Sequence, residues 1–79
     1  MVFPLPARDK LHLLFEQSGL HRFQLRILDL NGRLVLYREV VFEGVDYAIA
    51  VNGPPFSTGA YLLDVEEGGK NFRTRIVIE

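Results

Sequence analysis

The sequence predicts an all-β fold of six or seven short strands packed as two antiparallel sheets. Three observations predict it. Apolar and polar side chains alternate with period two over most of the chain, turn residues interrupt that alternation every 8–12 positions, and no stretch sustains a helical period.

From the N-terminus, Val2 and Phe3 allow a short first strand, and Leu11, Leu13 and Phe15 then alternate with Lys10, His12 and Glu16. After a turn at Ser18 and Gly19, Phe23, Leu25 and Ile27 alternate with Arg22, Gln24 and Arg26. The segment DLNGR at 29–33 sets Asn31-Gly32 between two strand-like runs, which predicts a type I′ hairpin turn because both residues tolerate positive φ. The returning strand covers residues 33–42 and stops at Glu43-Gly44. Tyr47, Ile49 and Val51 alternate with Ala48 and Ala50 until NGPP at 52–55, where proline removes the backbone donor that pairing needs. The last two runs, residues 60–66 and 70–78, flank Gly68-Gly69.

With Gly68-Gly69 as a two-residue turn, Glu67 faces Lys70, Val65 faces Phe72, Asp64 faces Arg73 and Tyr61 faces Ile76. Tyr61, Leu63, Val65, Phe72 and Ile76 then share one face, and Asp64, Glu66, Arg73 and Arg75 the other. Opposite charges meet across the strands, each pair contributing roughly 0.2–1 kcal/mol. A slip of one residue would bury arginines, which pins the register. In the first hairpin Leu25, Ile27, Leu34, Leu36 and Val40 make one apolar face, yet Leu28, Val35, Tyr37 and Val41 leave the other face partly apolar too. That surplus face is either covered by another strand or is a contact surface, with Leu28, Val35 and Tyr37 as its candidate residues. Strands of this number and spacing suit an immunoglobulin-like antiparallel β-sandwich, and an exposed edge such as Ile76-Val77-Ile78 can add a strand from another chain.

Composition narrows the function. The 79 residues are 48% hydrophobic and 11% aromatic, too apolar for a disordered chain and enough for one small domain. Nine Lys and Arg against ten Asp and Glu leave a net charge of −1, which argues against a general electrostatic role on nucleic acid or anionic lipid. Residues 1–38 carry +3 and residues 39–79 carry −4, an asymmetry that favours packing of the halves against each other. The lack of cysteine removes disulfides, thiolate metal sites and thiol catalysis, so burial alone stabilises the chain. No apolar run approaches the ~20 residues of a membrane helix. MVFPLPARDK lacks the basic-then-apolar order of a secretory signal, although a signal on a longer parent protein stays open.

Residues that could carry chemistry are sparse. His12 stands at an outward strand position and His21 follows a turn, and both read as solvated surface histidines rather than ligands or bases. Ser18, Ser57 and Thr58 lie in turn-rich segments without a G-x-S-x-G elbow and read as turn residues. Asp29-x-Asn31-Gly32 has its glycine too early for a calcium loop and no closing glutamate. Arg22, Arg26 and Tyr37 could stack on nucleic acid, but Glu39 opposite Gln24 and the overall charge speak against it. No pair of carboxylates is placed in a cleft. The sequence therefore predicts no catalytic residue, no cofactor and no metal, and neither nucleic acid nor a small-molecule substrate as partner. In STGAYLLDV at 57–65, Gly59 lets the chain bend into its strand, and Tyr61 can fill the core with its hydroxyl on a loop carbonyl, as in a tyrosine corner.

Taken together, these segments resemble the C-terminal sorting domain (type A) of proteins exported by the type IX, or Por, secretion system of Bacteroidetes-type bacteria. FPLPARDKLHLLF at 3–15 is similar to the family's opening, a Pro-rich start, a small residue, a charged turn and an alternating strand. FQLRILDLNGRLVLYREV at 23–40 resembles its central hairpin, with an acidic or Asn residue and Gly-Arg at the turn. STGAYLLDVEEGGKNFRTRIVIE at 57–79 resembles its closing signature: Gly-x-Tyr, a strand, a glycine turn with Lys, and a basic residue before apolar alternation. Two departures stand out. Leu5 replaces the Asn often found between the opening prolines, and the loop GPPFSTG at 53–59 is slightly long, with Phe56-Ser57-Thr58 in place of the usual Leu-Pro-Ala.

The resemblance implies an address label without chemistry of its own. It implies a place at the C-terminus of a longer cargo, residues 1–79 being the single sorting domain, and passage through the periplasm to the outer-membrane export machinery. A sortase-like cysteine protease would then cut before or near residues 1–6 and attach the cargo to a surface lipopolysaccharide, leaving it at the outer membrane and cell surface, or secreted. The family's motif positions fall on Gly59, Tyr61, Gly69, Lys70, Arg75, Ile76, Val77 and Ile78, and with Glu79 these are the candidate recognition residues. Residues 70–79 are either read through an exposed edge or face, or are the last core strand and nothing more. A homodimer through edge strands or strand exchange is open to the chain. Two other functions remain in view: an immunoglobulin-like adhesion or carbohydrate-binding module using GPPFSTG or the Tyr37 face, and a structural spacer.

Overall fold

The computed structural model describes residues 9–79 and the backbone of Val2–Leu5. Seven strands form: β1 (Val2–Leu5), β2 (Lys10–Phe15), β3 (Leu20–Asp29), β4 (Leu34–Glu43), β5 (Asp46–Ala50), β6 (Gly59–Glu67) and β7 (Lys70–Ile78). They build two antiparallel sheets, one ordered β1-β2-β5 and the other β4-β3-β6-β7. This is the two-sheet β-sandwich that the alternation predicts. Residues 6–8, which carry the end of the Pro-rich start, its small residue and the first residue of the charged turn, lie outside the described residues.

The alternating apolar residues meet between the sheets. Leu11, Leu13 and Phe15 of β2 and Ile49 of β5 are buried with Phe23, Leu25 and Ile27 of β3, Tyr61, Leu63 and Val65 of β6, and Ile76 and Ile78 of β7. Each large side chain buried this way is worth about 1.5–3 kcal/mol. The sheets join at a corner between β4 and β5. There Gly44 N–H donates to the Gly19 carbonyl (2.9 Å) while Phe15 N–H donates to the Val45 carbonyl (2.8 Å). Consecutive residues thus end one ladder and begin the other.

The β6–β7 hairpin has the register that its turn and charges predict, from Glu67 opposite Lys70 to Tyr61 opposite Ile76. Gly68 (φ +58°) and Gly69 (φ +79°) supply the two positive dihedrals that a type I′ turn demands.

The first hairpin differs from expectation. Gly32 alone in its turn has positive φ (+85°); Gly32 N–H donates to the Asp29 carbonyl (3.0 Å) and Asp29 N–H to the Arg33 carbonyl (2.9 Å). This is a type I turn closed by a glycine bulge, not a type I′ turn. The cause is Asp29, whose Oδ1 accepts from the N–H groups of Asn31 and Arg33, both at 2.9 Å, and so fixes the first position of a type I turn. The register then shifts, with Ile27 opposite Leu36 but Leu28 opposite Leu34. The extra residue reverses the expected faces: Leu34 is 56% exposed, and Val35 packs against the core.

Candidate functional site

Register sets the outer face of the four-stranded sheet in rows. One row crosses all four strands as Tyr37, Arg26, Asp64 and Arg73. The Arg26 guanidinium lies 5.1 Å from the centre of the Tyr37 ring, a cation–π contact, and Arg73 donates to Asp64 Oδ2 at 3.1 Å. Asp64 is only 4% exposed although it points away from the core, and its Oδ1 has no partner among the described residues. The Tyr37 hydroxyl donates to Glu39 Oε1 (2.8 Å), and that bond holds its pKa above the ordinary phenol range. The adjoining row is apolar until its end: Leu34, Leu28, Leu62, Arg75, with Ala60 opposite Val77 beyond it.

The candidate recognition residues separate by exposure. Tyr61, Ile76 and Ile78 are in the core, while Gly69, Lys70, Arg75, Val77 and Glu79 are exposed, and Gly59 opens β6 half-buried. The buried tyrosine does what a tyrosine corner does. Its hydroxyl donates to the Ser57 carbonyl (2.8 Å) and accepts from Ser57 N–H (3.0 Å), and Phe56 packs edge-on against its ring at 5.8 Å. The loop carrying Phe56 and Ser57 is therefore folded onto the end of the sandwich. On the candidate contact face, Leu28 and Tyr37 share the outer surface, and Val35 does not join them because of the bulge.

His12 keeps its outward place, with Nδ1 2.9 Å from Asp46 Oδ1 on the neighbouring strand. His21 is not a solvated surface residue. Its side chain is 13% exposed and stacks on Phe15 (4.2 Å) and Phe42 (5.6 Å). Nδ1 faces Glu67 Oε2 and Nε2 faces the Gln17 carbonyl, each at 2.8 Å. Two acceptors on two ring nitrogens require two protons, so the arrangement holds an imidazolium. Burial pulls its pKa down, but the bonds to Glu67 and Gln17 outweigh that and the net shift is upward. The sequence did contain the signal, since His21 shares the parity of the core residues Phe23, Leu25 and Ile27.

Among the described residues no three His, Asp or Glu side chains group closely enough to hold a metal ion. The outer face of the four-stranded sheet is a pattern of charged and apolar rows that ends at the edge strand β7. No curated protein and no solved structure matches the chain. The family model of the secretion system C-terminal sorting domain matches residues 1–79, the whole of this sheet face and its edge included, and the chain belongs to that family, the C-terminal signals of type IX secretion.

Proposed function

We propose that residues 1–79 act as a single removable label behind a cargo, and that the export machinery reads it at β7 and the outer-face side chains beside it. The observation that carries this reading is the division of the closing signature. Its buried members, Tyr61, Ile76 and Ile78, hold the strand, while Arg75, Val77 and Glu79 are offered at the edge of a sheet. In this reading the label does no chemistry. It crosses the periplasm with its cargo, and a sortase-like cysteine protease severs it near residues 1–6 once outer-membrane components have engaged it. The test is a cargo fusion lacking residues 70–79. The truncated fusion is expected to accumulate inside the cell while the intact one reaches the surface or the medium; normal export of the truncated fusion would overturn the reading.

A further inference from the structure

We infer that the partner of β7 is an extended protein segment that joins the four-stranded sheet as a fifth strand and sets a carboxylate opposite Arg75. The inference rests on β7 being the recognised element. The two edges of that sheet, β4 and β7, are built differently. β4 is bulged opposite Ile27 and Leu28, and it places Arg38 opposite the buried Leu25, with the guanidinium 3.1 Å from the Tyr47 hydroxyl of β5. A bulge and an inward-pointing charge are the devices that close an edge to further pairing. β7 has neither. Its nine residues pair with β6 without a shift, contain no glycine or proline, and put Phe72, Thr74, Ile76 and Ile78 on the core side.

The Gly68-Gly69 turn makes Glu67 and Lys70 a hydrogen-bonded pair, and the antiparallel alternation follows from it. Asn71, Arg73, Arg75 and Val77 therefore turn their backbone N–H and C=O groups away from β6, and their side chains share the outer face. An added strand bonds to these four residues. Of the two arginines, Arg73 is engaged by Asp64, whereas Arg75 stands opposite Leu62 and meets no carboxylate among the described residues. Residues 1–8 contain no acid to supply one. Arg75 is thus a lone cation between an apolar row and an open edge, where an opposing carboxylate makes a favourable cross-strand pair. A second copy of the chain is a poor occupant, because two β7 strands in full antiparallel overlap set Arg73 of each against Arg75 of the other.

Two substitutions in the exported cargo fusion separate the backbone from the charge. Val77→Pro removes an outward N–H at an edge position, where proline is tolerated, and Arg75→Glu reverses the charge while keeping the donors. Amide NMR spectra of the purified chains verify folding, and Asn71→Pro stands in if Val77→Pro does not fold. Both changes are expected to stop export. A synthetic peptide of alternating valine and glutamate is expected to shift the amides of Asn71, Arg73, Arg75 and Val77. It should bind at least tenfold more tightly than its valine–lysine counterpart, and Arg75→Glu should invert that order. Export lost with Val77→Pro but kept with Arg75→Glu overturns the acidic partner and leaves β7 as the recognised edge. The opposite pattern overturns the fifth strand, and export kept in both overturns the reading of β7 itself. Shifts confined to β4, or tighter binding of a peptide copying residues 70–79, overturn the assignment in favour of the other edge or a second copy.

Discussion

His21 shows at the scale of one residue why outward appearance in a sequence misleads. It follows a turn, as solvated histidines do, yet its parity places it beside Phe23 on the inner face, under Phe42 and against Phe15. What parity alone could not reveal is Glu67, 46 positions later, whose carboxylate gives the half-buried imidazole an ionic partner. The consequence is a pH dependence of known sign. The folded-state pKa lies above the 6.5 of an unfolded histidine, so the stabilisation is complete below that value and is lost as pH rises through the higher folded value. The urea midpoint of the chain is expected to fall as pH rises from the unfolded value of 6.5 through the higher folded one. In His21→Gln the profile should be flatter over the same window, His12 and every other titrating group being retained. Parallel profiles for the two proteins would show that this contact does not carry the imidazolium.

At the scale of elements, the two hairpins show what turn residues do and do not specify. Gly68-Gly69 can supply positive φ at two consecutive positions, and the charges on both sides agree with the register this sets, so the pairing of β6 with β7 was legible to the residue. Asn31-Gly32 was equally suggestive and gave the wrong turn, because Asp29 two positions earlier competes for the local backbone donors and wins. The bulge that follows was hidden for a different reason. Leu34, Val35 and Leu36 are all apolar, so no polar residue marks which of them leaves the core. The two turn types make opposite predictions for substitution. Asp29→Ala removes two hydrogen bonds from backbone donors and should cost about 1–2 kcal/mol, and Asn31→Ala should cost less than about 0.5 kcal/mol because Asn31 does not adopt the left-handed conformation. Chemical denaturation of the two variants measures both values. A larger cost at Asn31 than at Asp29 would restore the type I′ turn.

At the scale of the whole molecule, reading of the label at β7, as proposed above, makes export depend on folding, because the strand divides into buried and offered residues. Arg75 and Val77 share a surface with Leu62 and Leu28 only while β7 pairs with β6 and β6 with β3. A small chain without cysteine holds that arrangement with a core worth roughly 3–5 kcal/mol in net stability. Leu63 is wholly buried in β6, between Ile27 and Thr74 by register, and lies outside the closing segment of residues 70–79. Leu63→Ala leaves a cavity costing about 2–5 kcal/mol, enough to consume most of that margin, while every residue from Lys70 to the end stays unchanged. If the machinery reads the folded surface, export of a Leu63→Ala fusion falls in step with the folded fraction measured by urea denaturation of the purified chain. Cooling recovers both together wherever it restores the fold. If residues 70–79 are read as a linear segment, the same substitution leaves export intact even where the domain is unfolded. The pairing-dependent placement of Arg75 and Val77 predicts the first outcome, and surface display of the cargo, compared with the folded fraction at each temperature, decides between them.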